Sequence, residues 1–134
     1  MGTWGAESFA NDMAMDWVSM LETATDVRMV RDALRAATSE GYLDADVGSV
    51  GLAAAEVVAA LRSQPAPDLP AEVVAWVDAH DTEPDADLLD EAREAVDAIE
   101  DPSRSELREL WDEASESDRA EWRAAIADLR RRLD

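Results

Sequence analysis

One short stretch limits the fold most: VGLAAAEVVAAL, Val50 to Leu61, in which Glu56 is the only polar side chain. It falls well short of the ~20 apolar residues that a membrane-crossing helix needs. Its cover must therefore come from the rest of the chain. Helical spacing puts Val50, Ala54, Val57, Val58 and Leu61 on one stripe, and the alanines widen the buried face. Ser49 is placed to cap this helix, which should run to about Ser63. A glutamate inside such a run needs hydrogen-bond donors or an arginine. The candidate donors are the amides of the Gly2–Gly5 loop, a tryptophan indole, Arg28 and Arg31.

The same spacing recurs on both sides. Asn11 can cap a first helix with Met13, Trp17, Met20, Leu21 and Ala24 on one face. Thr25 or Asp26 can cap a second, carrying Val27, Val30, Leu34 and Ala37, and Gly41 stops it. GYLDADVGS reads as a loop. QPAPDLP, with three prolines in seven residues, is a clear break. Pro70 suits the first turn of a fourth helix burying Val73, Val74 and Val77 beside Trp76 or His80. After HDTEPDAD, where Asp85 or Asp87 can cap, Leu88, Leu89, Ala92, Ala95, Val96 and Ile99 form a fifth stripe. Ser103 with Glu106, and Ser115 with Asp118, have capping-box spacing for two more helices. The first carries Leu107, Leu110, Trp111 and Ala114, the second Trp122, Ala125, Ile126, Leu129 and Leu133. Arg130, Arg131 and Arg132 suit the negative pole of that last helix. No stretch alternates as a half-buried strand does, which leaves no place for a dinucleotide fold or a phosphate-binding loop. The expectation is all-α: a compact single-domain bundle over 1–134, with about six or seven helices, several of them short.

Charge narrows the partners. The 32 acids and 12 arginines give a net charge of −20, and lysine is absent. The excess is uneven, at −6 over residues 1–67 and −14 over 68–134. Such a surface repels phosphate backbones and anionic membranes, so neither direct nucleic-acid binding nor a membrane partner is expected. Without lysine there is no Schiff-base chemistry, and without cysteine no thiol nucleophile, disulfide or thiolate metal site. The opening lacks the basic segment and apolar core of a signal peptide, so a cytoplasmic location is the expectation. Salt adaptation and a GC-rich genome would also produce acidic, lysine-free chains.

The opening MGTWGAESFANDMAMDW concentrates unusual residues. Gly2 and Gly5 flank the Trp4 neighbourhood, and Phe9, Asn11, Asp12, Asp16 and Trp17 follow. The M-G-x-W-G start and the Phe-x-Asn-Asp-x-Ala-x-Asp-Trp segment (Phe9, Asn11, Asp12, Ala14, Asp16, Trp17) resemble the DUF4259 domain family of bacterial proteins. YLDADVGSVGLAAAEVVAAL and SELRELWDEASESDRAEWRAAIADLRRRL are similar to two further blocks of that family, so the likeness spans nearly the whole chain. The resemblance implies membership and a cytosolic bacterial origin. It brings no activity, substrate or cofactor.

Two kinds of reading compete for the singled-out residues. Trp4 and Phe9 read first as a lid folded on the core, since buried aromatics mostly serve packing, and second as a partner surface. Asp12 and Asp16 share a helix face. With Glu56 they could bind Mg²⁺ or Ca²⁺ or perform acid–base work. The plainer reading makes Asp12 a first-turn charge, Asp16 a solvated acid and Glu56 a structural anchor. His80, the only histidine, reads as a helix-end residue. Asp44 and Asp46 with Gly48, and Asp85, Asp87 and Asp90, read as turn and cap chemistry. The leading functional expectation is a small acidic cytosolic binding or protein-interaction domain, without a cofactor, facing a basic protein partner. Trp4, Asn11, Asp12, Asp16 and Glu56 are its candidate contact or anchor residues. A divalent-cation-dependent enzyme or cation-binding protein using Asp12, Asp16 and Glu56 is the first alternative. An acidic inhibitor or nucleic-acid mimic is the second.

Overall fold

The computed structural model describes residues 8–80 and 82–134. Among these residues seven helices follow one another: α1 Asp12–Leu21, α2 Arg28–Thr38, α3 Ala45–Leu61, α4 Ala71–Ala79, α5 Ala86–Glu100, α6 Glu106–Asp112 and α7 Glu116–Leu133. No strand occurs among the described residues, so the all-α expectation holds. No described helix is long and apolar enough to cross a membrane.

The apolar run from Val50 to Leu61 lies at the centre. Every residue from Gly51 to Leu61 is buried, and α3 packs against each of the other six helices. Small side chains let that happen. A Cβ on Gly51 would sit 3.0 Å from both Ala37 Cβ and Ile99 Cδ1. A Cβ on Gly48 would sit 3.3 Å from Leu107 Cβ. Thus α2, α5 and α6 approach α3 almost at backbone distance. A large side chain at either glycine would push them apart.

The start of α3 differs from expectation. Asp44, not Ser49, is the cap: its carboxylate accepts from the Val47 amide at 2.9 Å, and Ser49 is buried inside the helix. Two glycines and two aspartates made this stretch look like a loop. Contacts distant in sequence hold it as helix. Leu43 pairs with the chain entering α6, its amide donating to Arg104 O at 2.7 Å while its carbonyl accepts from Glu106 N at 2.8 Å. The Glu106 carboxylate then accepts from Ala45 N at 2.7 Å, satisfying an amide that the first helical turn leaves free.

Other caps and faces shift by less. Ser105 caps α6, because Ser103 is turned to Asp101, whose carboxylate accepts from its amide and hydroxyl. Asp85 caps α5, Ser115 caps α7 and Asn11 caps α1. Val27 stands at the cap position of α2 with no bond from its own side chain, and the carboxylate of Asp26, one residue earlier, accepts from the Arg28 amide at 2.9 Å. Pro70 stands at the cap position of α4, just before its first turn. α1 buries Ala14, Trp17, Val18 and Leu21, leaving Met13 and Met20 exposed. α4 buries Val73 and Trp76 and exposes Val74. The Trp76 indole donates to Ala24 O at 3.1 Å, and His80, at the end of α4, stacks on its ring. Ala24 thus ties α4 to the end of α1.

The three arginines of α7 act across helices as well as along it. Arg130 pairs with Asp97 and Glu100 of α5, and Arg132 reaches Glu56 of α3. In return, Arg62 donates to Asp134 O at 3.0 Å and Arg93 donates to Leu133 O at 2.5 Å. Carbonyls left over at the end of α7 are therefore satisfied by guanidinium groups from the end of α3 and from α5.

Candidate functional site

The structure separates the residues that the sequence grouped. Trp4 lies outside the described residues. Asn11 is taken up by capping, its Oδ1 2.8 Å from Ala14 N. Asp12 and Asp16 lie exposed on α1, because Ala14, Trp17, Val18 and Leu21 occupy its inward face. Glu56 is buried in α3, 3% exposed. These three acids are not gathered, and no group of three His, Cys, Asp or Glu side chains among the described residues is disposed to hold a metal ion.

Glu56 has a different partner from those the sequence suggested. Arg132 Nη2 approaches its two oxygens at 2.7 and 3.3 Å. Arg28 instead faces Asp26 in solvent, and Arg31 faces Asp85 and Glu91. The Arg132 guanidinium is fully engaged, with Nε donating to Asp128 at 2.8 Å and Nη1 donating to Gln64 O at 3.2 Å. Burial pushes the Glu56 carboxyl above the usual glutamate range, and Asp68 and Asp128 add to that. Arg132 opposes the rise without cancelling it. On the arginine, burial works against charge but is outweighed by Glu56 and Asp128. The carboxylate is therefore the member of the pair that titrates. The pair joins α7 to α3.

An open groove lies elsewhere. It has a volume of about 540 Å³ and is bounded by the N-terminal ends of α1 and α3, by α6 and by the first turn of α7. Its apolar wall is Met13, Leu107, Leu110, Trp111 and Ala114. Asp12, Asp46 and Asp118 stand among these. Trp111 is held in place by stacking on the buried Trp122, with ring centroids 6.1 Å apart and planes 9° from parallel. Asp112 braces the same junction by accepting from Arg108 of α6 and Arg123 of α7. A second hollow of about 180 Å³ adjoins the groove, sharing Met13 and Asp46 and continuing over Ala33, Ala36, Val47 and Val50.

Sequence reasoning placed Met13 and Leu110 on core stripes. Each is instead 39% exposed. The only signal was excess: the apolar faces of α1 and α6 are wider than one short helix can bury. Asp46 was read as turn chemistry and Trp111 as core. Their meeting depends on the pairing of Leu43 with the entry to α6, which periodicity does not reveal.

Each of the twelve arginines pairs with a carboxylate or donates to a backbone carbonyl of the chain. The 32 acids outnumber them, so the unbalanced charge faces outward as carboxylate.

A family model described as a domain of unknown function (DUF4259) matches residues 2–125. No curated protein matches the chain, and no solved structure does.

Proposed function

We propose that this chain, which belongs to the DUF4259 family over residues 2–125, acts as a protein-interaction domain whose partner presents a basic surface. The observation that carries this reading is the net charge of −20 left over when each of the twelve arginines, partly buried like Arg132 or exposed like Arg28, already has a carboxylate or backbone carbonyl of the chain as its partner. A paired arginine and carboxylate nearly cancel at a distance, so the acids in excess dominate the outward field. The surplus carboxylates set a field that steers a basic partner and repels an acidic one. A cation-dependent reaction draws no support from Asp12, Asp16 and Glu56, which lie on an exposed face of α1 and inside the core. A nucleic-acid mimic calls for an unbroken acidic stripe. Here carboxylates stand around apolar hollows, which suits a protein better.

The test is binding of the full chain to immobilised synthetic peptides of matched length, one arginine-rich and one glutamate-rich, across a salt series. The basic peptide should bind at low ionic strength and weaken steeply as salt is added, while the acidic peptide stays unbound. Equal retention of both peptides, or no retention of the basic one at low salt, would refute the reading.

A further inference from the structure

We propose that the groove between α1, α3 and α6 docks a basic amphipathic segment of another protein, seating one apolar side chain in each hollow and a lysine or arginine between them against Asp46. The inference rests on the basic-partner reading above and gives it a place and a pattern.

Three observations lead to it. First, the groove and its neighbour form two hollows in series with a common wall, Met13 and Asp46. A compact ligand would fill one of them. A chain segment can fill both. Second, the floor is built for apolar contact and is rigid. Leu110 is 39% exposed, and Trp111 is fixed by its stack on Trp122 and by the arginines converging on Asp112. A pre-positioned aromatic beside an aliphatic side chain is a common anchor composition at interfaces, and rigidity lowers the cost of binding. Third, the charge at the groove has one sign among the described residues: Asp12, Asp46 and Asp118 line it, and no arginine does. Each acid also lies in the first turn of its helix, where it balances the positive helix end. Of these three acids, Asp46 alone is common to both hollows, so a cation flanked by two apolar side chains meets it. An acidic or neutral apolar segment would bury that carboxylate unpaired, which is costly. The pattern selected is therefore apolar–basic–apolar, read from one face of a helix or from alternate residues of an extended chain.

The probe is a fluorescein-labelled peptide of roughly a dozen residues, about three helical turns, with two leucines flanking an arginine on one face and arginines elsewhere. A control peptide of equal charge carries alanine for both leucines. Binding to the full chain is read by anisotropy, and the contact surface by amide shift changes in NMR. The leucine peptide should bind about tenfold tighter than the control, the scale of a lost interface anchor. Shift changes should gather at Met13, Asp46, Leu110 and Trp111. Met13→Ser with Leu110→Ser should remove the leucine advantage, Asp46→Asn should weaken the leucine peptide several-fold, and Val74→Ser, at an exposed apolar position outside the groove, should change neither. Circular dichroism melts of each variant guard against loss of fold, since all these positions are partly or wholly exposed. If both peptides bind alike, with salt sensitivity and scattered shifts, the groove assignment is overturned while the basic-partner reading stands. If neither binds at low salt, both are overturned. A dimer in sedimentation that the Met13→Ser, Leu110→Ser variant abolishes would assign the groove to a second copy and overturn the proposal.

Discussion

At the residue scale, Glu56 and Arg132 set the clearest test of how this core tolerates charge. Ionised Glu56 is held at some expense, because burial raises its folded pKa above its unfolded one. The sign follows from linkage: a raised carboxyl pKa means that the folded state binds the proton more tightly, so this group's contribution improves as pH falls through the folded pKa. Removing Arg132 deepens the effect. Arg132→Leu should cost about 3–5 kcal/mol at neutral pH, because it strands a buried carboxylate. The gap to wild type should narrow as the solution is acidified toward the Glu56 pKa. Glu56→Gln, which keeps an acceptor for Arg132, should cost nearer 1 kcal/mol. Denaturant unfolding at neutral and mildly acidic pH checks both; a penalty for Arg132→Leu that ignores pH would mean that lost packing dominates. Glu56's burial was legible as one polar residue inside an apolar run. Its partner was not, because Arg132 lies 76 positions away and follows two other arginines, Arg130 and Arg131, in sequence.

At the scale of single elements, α3 shows where local rules hold and where packing overrides them. Its end is closed by a Schellman pair, Gln64 N to Ala59 O at 2.9 Å and Ser63 N to Ala60 O at 3.0 Å. Ser63 carries the left-handed turn at φ 68°, a conformation that suits glycine better than serine. Ser63→Gly should therefore stabilise the protein by about 0.5–1 kcal/mol, seen as a higher denaturation midpoint. A lowered midpoint would show that the serine side chain contributes more than the strain removes. Gly51→Ala should go the other way. Helix propensity favours alanine by about 1 kcal/mol, but the new Cβ meets Ala37 and Ile99 at 3.0 Å, and overpacking of this kind costs about 1–3 kcal/mol. The helices themselves were readable because breakers and apolar spacing are local signals. Asn11, Ser115 and Asp85 were readable as caps for the same reason. The start of α3 was not, since the bonds that make Ala45 helical come from Leu43 and Glu106 in a pairing across the fold. The inward face of α1 was misjudged because Met13 and Met20 are as apolar as Val18. Only the position of the neighbouring helices decides between them.

For the whole molecule, the net charge of −20 predicts that added neutral salt raises the melting temperature by screening repulsion between surplus carboxylates. The exposed ion pairs weaken with salt too, but each such pair is worth only ~0–1 kcal/mol. A flat or falling melting temperature across a sodium chloride series would show that the pairs outweigh the repulsion. Fold class and charge sign were open to sequence reading because both add up over many residues. The groove was not, since it exists only where α1, α3, α6 and α7 meet. The bonds at the end of α7 make the other helices depend on it. Arg62 and Arg93 donate to carbonyls near residue 133, and Glu56 pairs with Arg132. Without α7, the helices packed around α3 would hold Glu56 with no cation beside it. A bundle of α1 to α5 alone is therefore expected to fall well short of the stability of the whole, because α7 completes the interior as well as covering it.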